Sequence, residues 1–237
     1  MSIKAILFDM DGVLLDAKEW HYQALNKALE AKGCEPISRR DHLTIFDGLP
    51  TAVKLVRHKS TASLPIEKHR EINNLKQEIV IEIAEELCKE NPLHIEALKL
   101  LREEGYRMAV CSNSIRDFVG KMMKKISLDV YLDFFLSNQD VKTPKPSPEI
   151  YNTAMQRMGL KPEECVICED NPHGLQAAKD SGAHVFQVHT INDVCYQKLK
   201  EFIETINRSK KNEDSVSKAN GKRVVRRKFQ THAAQHK

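Results

Sequence analysis

Carboxylates, a lysine and small polar residues follow the short apolar runs of this 237-residue chain, where they could form one site. They are Asp9, Asp11, Ser112, Asn113, Lys145, Glu169 and Asp170. Three or four carboxylates in one cleft repel one another strongly unless a cation lies among them. The candidate ligands are oxygen atoms, and no histidine or cysteine cluster accompanies them in the sequence. This donor set favours a hard ion, with Mg²⁺ as the first candidate.

A divalent cation together with Lys145 would leave the site with positive charge for a phosphate group. The hydroxyl of Ser112 and the backbone amides at strand–helix turns are donors that phosphate oxygens accept from. Acidic residues often end strands because of turn chemistry alone, so each motif by itself is a weak signal. Their convergence on one edge of a sheet is the strong signal.

The elements that must position these residues alternate between strand and helix. Apolar runs predict strands at residues 3–8, 107–111, 134–136, 166–168 and 184–188. Apolar residues at helical spacing lie between the runs, and Gly105, Gly159 and Gly182 stand where glycines end helices. The pattern predicts an α/β fold: a doubly wound, Rossmann-like parallel sheet with helices on both faces. Such a sheet binds ligands at the carboxyl ends of its strands, where the polar residues lie.

The segment after the first strand breaks this alternation. From about Asp16 to Asn91 the sequence shows only helical periodicity. We therefore expect an inserted helical cap domain over residues 17–91 and an α/β core domain over residues 1–16 and 92–207. Residues 208–237 would form a basic, disordered C-terminal tail.

Composition excludes several other classes of protein. Hydrophobic residues make up 41% and charged residues 30%, as in an ordinary globular protein and unlike a fibre or a disordered chain. No apolar run approaches the roughly 18 residues of a membrane helix, and no signal-peptide pattern is found. The six cysteines are too irregularly spaced for a disulfide framework, and Cys165 and Cys168 would point to opposite faces of a strand. We expect a cytoplasmic protein that binds no membrane.

The positive charge of the chain is concentrated at its end. Residues 207–237 hold ten lysines and arginines and two acidic residues, a net charge of +8, although the whole chain carries only +4. One interpretation of this tail is a solvated extension without a dedicated ligand. The other is a basic arm for nucleic acid or another anionic partner.

Four of the motifs, in this order, resemble those of the haloacid dehalogenase superfamily. They are Asp-Met-Asp-Gly-Val at 9–13, Ser-Asn at 112–113, Lys-Pro at 145–146 and Glu-Asp at 169–170. The resemblance spans residues 3 to about 190. Residues 165–183 are especially similar to the β-phosphoglucomutase-like branch, which carries a helical cap between its first and second motifs. The helical insert of this chain lies at the same place.

The resemblance implies a role for the first two aspartates. Asp9 would be the nucleophile that takes the phosphoryl group as an aspartyl phosphate. Asp11 would protonate the leaving alcohol and then activate the water. The presence of Asp11 also argues against a dehalogenase, because that branch lacks a catalytic acid at this position and needs no metal.

The other motifs would hold the metal and the phosphate. The implied metal ligands are Asp9, Asp11 through its carbonyl, Asp170 and, in or next to the ligand shell, Glu169. In the alternative interpretation, Glu169 only orients Lys145 or a bound water. Ser112 and Asn113 would hold phosphate oxygens, and Lys145 would neutralise the transition state.

The cap is expected to choose the substrate, because its residues close over the site. The positions that resemble substrate-facing ones are His21, Gly48, Thr51 and Lys76. Each also fits an ordinary surface residue or helix cap. Thr51 stands where the phosphosugar mutase has an arginine for the distal phosphate, and Ala17 where it has a hydroxyl residue. Lys54, one helical turn after Thr51, is a candidate replacement cation.

These departures favour a phosphatase over a mutase. The sequence predicts a Mg²⁺-dependent phosphatase of small phosphomonoesters, sugar or polyol phosphates, with a small phosphorylated metabolite as its partner. A phosphosugar mutase of the β-phosphoglucomutase type is the alternative enzyme. A further alternative, from a different class, is a binding or regulatory module that acts through the basic tail.

Overall fold

A single parallel sheet forms the centre of the molecule, whose computed structural model describes residues 2–209. Within that range the strands are β1 (Ala5–Phe8), β2 (Arg107–Cys111), β3 (Phe134–Leu136), β4 (Cys165–Glu169) and β5 (His184–Gln187). They lie in the order β3-β2-β1-β4-β5, and every neighbouring pair is parallel. The predicted doubly wound, Rossmann-like α/β fold is confirmed.

Both faces of the sheet are covered, which explains the apolar runs of its strands. In β1, Ala5 and Leu7 pack into one core cluster, whereas Ile6 and Phe8 pack into the other. Alternate side chains of a strand point to opposite faces, so a strand buried on both sides is apolar throughout. Cys165 and Cys168 follow the same rule and lie in different clusters, as the sequence predicts.

The helices surround this sheet and form the insert. Their bounds are α1 (Lys18–Ala31), α2 (Thr51–Arg57), α3 (Ile66–Leu87), α4 (Pro92–Glu103), α5 (Arg116–Lys125), α6 (Glu149–Met158), α7 (Pro172–Asp180) and α8 (residues 196–209). Helices α5 and α8 contribute to one core cluster, and α6 and α7 to the other. The sheet is thus sandwiched between two helical layers.

The insert between β1 and β2 contains helices and turns but no strand, all of it within the described range. It has a core cluster of its own, to which α1 contributes Leu25 and Leu29 and α3 contributes Ile72. A separate cluster is what an inserted cap needs to hold its shape above the sheet. The exact boundaries at residues 16–17 and 91–92 stay a prediction.

The last described helix, α8, returns to the sheet. Phe202 contacts Phe186 of β5 with the ring centroids 5.3 Å apart, and the Ile3 amide donates to Asn207 Oδ1 at 3.2 Å. Arg208 is still helical. The predicted tail lies outside the described residues from residue 210 onward. No helix in the described part of the chain is both long enough and apolar enough to cross a bilayer.

Candidate active site

The strand order brings the predicted residues to one edge of the sheet. Phe8, the last residue of β1, pairs with Val110 of β2 on one side and with Cys168 of β4 on the other. The residues that follow these three positions therefore lie side by side at the carboxyl ends of the strands. Asp9 comes between the end of β2 and Glu169, the last residue of β4.

Lys145 joins the two central carboxylates. Its Nζ donates to Asp9 Oδ1 and to Glu169 Oε1, both at 2.6 Å, and all three side chains are buried. Burial alone would lower the pKa of Lys145, but the charges of Asp9 and Glu169 raise it above its usual value. Lys145 is therefore a permanently charged ammonium in the floor of the site.

Asn113 positions this lysine. Its Nδ2 donates to the Lys145 carbonyl at 3.2 Å, and its Oδ1 accepts from the Lys145 amide at 3.0 Å. Asn113 lines the cavity as predicted, but these bonds use its amide to hold backbone. Ser112 is buried, and its Oγ accepts from the Ser114 amide at 3.0 Å. Because this bond uses the hydroxyl oxygen as an acceptor, the hydroxyl proton stays available as a donor.

Three carboxylates crowd the floor. Oxygen atoms of Asp9, Glu169 and Asp170 all lie within 4.8 Å of one another. Burial and the charge of Glu169 raise the pKa of Asp9 well above its usual value, and burial raises the pKa of Asp170. Tyr151, on α6, donates its hydroxyl to Glu169 Oε1 at 2.5 Å. The site carries more negative charge than Lys145 balances.

The residues present fit a Mg²⁺ ion. Asp170 Oδ2 is buried, and among residues 2–209 the donor that reaches it is the Lys18 ammonium, in an ion pair of 2.8 Å. A Cβ on Gly12 would lie 2.1 Å from this oxygen, so only glycine, here with φ +97°, leaves room for it. Clustered carboxylate oxygens with excess negative charge are a hard-cation donor set.

Asp11 has a different environment from Asp9. His21 Nε2 lies 3.1 Å from Asp11 Oδ1, and Ser114 Oγ donates to Asp11 Oδ2 at 2.8 Å. Burial would raise the pKa of Asp11, but the contacts with His21 and Ser114 hold it below its usual value. Lys76 Nζ lies 2.9 Å from His21 Nδ1 and donates to it, so His21 presents its Nε2 proton to Asp11.

The cap closes the site with cations. Lys76 is buried, and burial together with the charge of Lys54 lowers its pKa to about 7. Lys54 is only 8% exposed, and its ammonium makes no hydrogen bond or ion pair with any described residue. Burial lowers the pKa of Lys54, opposed by Asp47. Both lysines line the cavity, of about 180 Å³, that separates cap from floor.

The structure brings the predicted cap residues to this cavity as well. It is lined by the cap residues His21, Gly48, Thr51 and Lys76 together with Asp9, Asp11, Ser112, Asn113 and Lys145. Gly48, with φ +69°, is where the cap meets the core, because a Cβ there would lie 2.7 Å from Asn171 Oδ1. Glu169 and Asp170 lie behind the lining residues, in contact with Lys145 and Lys18.

Sequence reasoning missed several contributors. They are Lys18, Ser114 and Tyr151. The sequence also allowed Lys76 to be an ordinary surface residue, and the burial of this side chain excludes that interpretation. A signal was available, since Lys76 lies four residues after Ile72 and four before Val80, on the buried stripe of α3.

Comparison with known proteins fits this geometry. The model of the haloacid dehalogenase-like hydrolase family matches residues 6–188. The chain belongs to this family. The match confirms the predicted superfamily.

Individual relatives cover most of the chain. The phosphorylated carbohydrates phosphatase of Thermotoga maritima is 29% identical over 201 residues, which are 81% of this chain and 88% of that protein. Protein CbbY of Cereibacter sphaeroides is 30% identical over 191 residues, 76% of this chain and 81% of that protein.

A solved structure agrees with the fold. A mutant of CbbY from Rhodobacter sphaeroides, crystallised with xylulose-(1,5)bisphosphate, matches with a TM-score of 0.70 at 26% identity. The match covers 78% of this chain and 85% of that one.

Proposed function

We propose that this family member is a Mg²⁺-dependent phosphatase that hydrolyses small phosphomonoesters, sugar or polyol phosphates, through an aspartyl phosphate on Asp9. The observation that carries the proposal is the pair of aspartates in different environments. Asp9 is fixed by Lys145 at 2.6 Å, whereas Asp11 is held by His21 and Ser114. One aspartate is thus held against a buried ammonium and the other against an imidazole and a hydroxyl, an arrangement that suits the two carboxylates to separate tasks.

Asp9 is the nucleophile. A carboxylate oxygen of Asp9 attacks phosphorus, the new P–O bond forms, and the bond to the leaving alcohol oxygen breaks. Lys145 already touches Asp9 and balances the negative charge that crowds the floor as the phosphate arrives. Ser112 donates its hydroxyl to a phosphoryl oxygen, which fixes the group for in-line transfer.

Asp11 moves the protons. Its pKa is low in the free chain, but an arriving phosphate brings negative charge beside it, which favours the protonated carboxyl. The protonated Asp11 donates to the leaving alcohol oxygen. The resulting carboxylate then takes a proton from the water that attacks the aspartyl phosphate, so that inorganic phosphate leaves and Asp9 is regenerated.

The metal completes the charge balance. Asp9, Asp170 and the Asp11 carbonyl would hold Mg²⁺, with Glu169 beside them. When bound, the ion supplies positive charge for the phosphoryl oxygens. Glu169 already accepts hydrogen bonds from both Lys145 and Tyr151, which supports its role in orienting the lysine.

The cap supports a polar, phosphorylated substrate. Asn73 and Gln77 line the cavity beside Lys54 and Lys76, so it offers amides and cations to hydroxyl and phosphate groups. One relative is named for phosphorylated carbohydrates, and another was crystallised with a sugar bisphosphate. A cytoplasmic location stays a prediction, and an anionic partner for the tail stays an alternative interpretation of its charge.

A phosphosugar mutase is the second candidate, because of Lys54. Thr51 cannot replace the mutase arginine, but Lys54 is a buried cation without a partner in the described chain and lies in the same cavity. A mutase returns the phosphoryl group to a second hydroxyl. It would therefore need a bisphosphate activator and release little inorganic phosphate.

Phosphate release tests the proposal. The full chain is assayed with p-nitrophenyl phosphate and a panel of sugar phosphates, with and without Mg²⁺. Asp9→Asn should abolish release because the amide is isosteric but a poor nucleophile, whereas Asp117→Asn removes an exposed aspartate of α5 and serves as the control. Turnover of Asp9→Asn above a few per cent of wild type would exclude Asp9 as the nucleophile. If wild type releases phosphate at the full rate without Mg²⁺, the proposed requirement for the metal is wrong.

A further inference from the structure

Lys18 connects the cap to the floor of the site. It is the first residue of α1, and its Nζ lies 2.8 Å from Asp170 Oδ2. The same Nζ lies 3.8 Å from Asp47 Oδ2, in the cap loop. The Lys18 side chain is 42% exposed and the Asp170 side chain 5%, so a partly solvated ammonium reaches a buried carboxylate.

This contact balances the one floor carboxylate that Lys145 does not reach. Lys145 pairs with Asp9 and Glu169. Asp170 Oδ2 is buried and no other donor of the described residues reaches it, so the Lys18 charge is what compensates its burial. A buried carboxylate oxygen without a compensating group is costly.

We propose that Lys18 is a built-in counter-ion of the metal site, which neutralises Asp170 when no divalent ion is bound and is displaced from it when Mg²⁺ binds. The inference rests on the proposed function, in which Asp170 is a metal ligand. Asp47 is the second partner that receives the displaced ammonium. Metal loading thus moves one cation from a core carboxylate to a cap carboxylate.

The local packing lets the Lys18 ammonium pass from Asp170 to Asp47 by a short movement. The position of a Gly12 Cβ would lie 3.0 Å from Lys18 Cε and 2.1 Å from Asp170 Oδ2, so the ammonium approaches over bare backbone. The distances to the two carboxylates differ by about 1 Å. Since Lys18 is partly exposed, water can solvate its ammonium during the transfer.

Magnesium binding to the full-length chain tests the proposal by isothermal titration calorimetry, without substrate or turnover. Lys18→Met removes the competing cation and should tighten Mg²⁺ binding roughly tenfold. Asp47→Asn removes the second partner and should weaken binding. The double variant should bind as tightly as Lys18→Met, because Asp47 acts only through Lys18.

Lys4→Met is the matched control. Lys4 forms a 2.7 Å ion pair with Glu164, and it precedes β1, at the other end of the sheet. The Lys4→Met substitution lowers the net charge by the same amount as Lys18→Met, and it should leave the Mg²⁺ affinity within twofold of wild type. Equal tightening by Lys4→Met would show a general charge effect and overturn the proposal.

Two outcomes separate this inference from the proposed function. If wild type binds Mg²⁺ and Lys18→Met leaves its affinity unchanged or weaker, only the counter-ion role is wrong. If no variant binds Mg²⁺, the metal site and the counter-ion role fall together, while phosphate release from p-nitrophenyl phosphate still reports on Asp9. Binding by Lys18→Met alone would be the strongest support.

Discussion

The floor and the cap side of the cavity differ in whether their buried charged side chains have ion-pair partners. On the floor, Lys145 lies 2.6 Å from Asp9 and from Glu169, so the buried charges have partners. On the cap side, Lys54 has no partner among the described residues, and the pKa of Lys76 falls to about 7 because of burial and its neighbour Lys54. The charged groups of the floor are therefore already paired in the free chain, whereas the cap side offers positive charge that no carboxylate of the described chain neutralises through an ion pair.

This difference separates the chemistry from the choice of substrate. A paired, rigid floor keeps its geometry whichever phosphate ester enters, as electrostatic preorganisation requires. The Lys54 ammonium, which has no partner in the described chain, gains an ion pair only when a substrate brings an anionic group to it. We therefore expect floor variants to change the rate and cap variants to change the affinity for particular substrates.

After Asp9→Asn, which should abolish turnover, the largest effect should come from Asp11. General acid catalysis contributes about 10² to 10⁴ in rate and matters most for poor leaving groups. Asp11→Asn should therefore slow phosphorylation by an alkyl or sugar phosphate far more than by p-nitrophenyl phosphate, measured in a single turnover. Ser114→Ala, which removes only the 2.8 Å hydrogen bond to Asp11, should have a smaller effect. Equal losses on both substrates would exclude Asp11 as the acid.

The cap cation Lys54 comes next. A hydrogen bond to a charged group is worth about 1.5–3 kcal/mol, so Lys54→Met should raise KM tenfold or more for a sugar bisphosphate. The effect on a matching monophosphate should be several times smaller. Lys59→Met, at an exposed lysine paired with Glu35 at 2.8 Å, is the control. An equal rise in KM for both substrates would contradict a selective cap.

A glycine tests how tightly the floor is packed. A Cβ on Gly174 would lie 2.0 Å from Glu169 Oε1, whereas one on Gly120 of α5 would meet Phe135 at 3.4 Å. Gly174→Ala should destabilise the protein by about 1–3 kcal/mol, as overpacking does, and lower the rate by displacing Glu169. Gly120→Ala, also in a helix, should be neutral or stabilising by less than about 1 kcal/mol. Similar unfolding midpoints for both variants would show that the Glu169 side chain can move to make room for the added methyl group at little cost in stability.

The smallest effect is a pH dependence of binding. Lys76, with a pKa of about 7, is an ammonium below that pH and loses its charge as the pH rises. The KM for an anionic substrate should therefore rise severalfold between pH 6 and pH 8 in wild type. In Lys76→Met this rise should be absent. The substrate's own ionisation affects both proteins equally, so it cancels when the two pH profiles are compared. Parallel profiles would mean that Lys76 binds no substrate charge.

The sheet and the floor were accessible from sequence because each rests on local signals. Short apolar runs that end in Asp9, Ser112 and Glu169 predict parallel strands, and parallel strands bring their carboxyl ends together. The faces of Cys165 and Cys168 followed from the two-residue period of a strand. The order of the strands then determines which residues touch.

The missed residues depend on contacts between distant segments. Tyr151 has the spacing of an ordinary core residue of α6, and nothing in its neighbours shows that its hydroxyl reaches Glu169. Lys18 looks like an exposed residue at the start of a helix, although its partner Asp170 lies on the core. Such contacts are set by how the cap sits on the sheet, which periodicity does not encode.

The central place of β1 has a consequence for synthesis of the chain. Ala5–Phe8 is synthesised before both of its partners, which are residues 107–110 and then residues 165–168. The nascent chain must therefore keep this apolar segment from pairing wrongly until β4 is made, since an unpaired strand edge favours aggregation. A product truncated before Cys165 holds Asp9 but lacks β4, which pairs with β1 and carries Glu169, so translation must pass β4 before the site is complete.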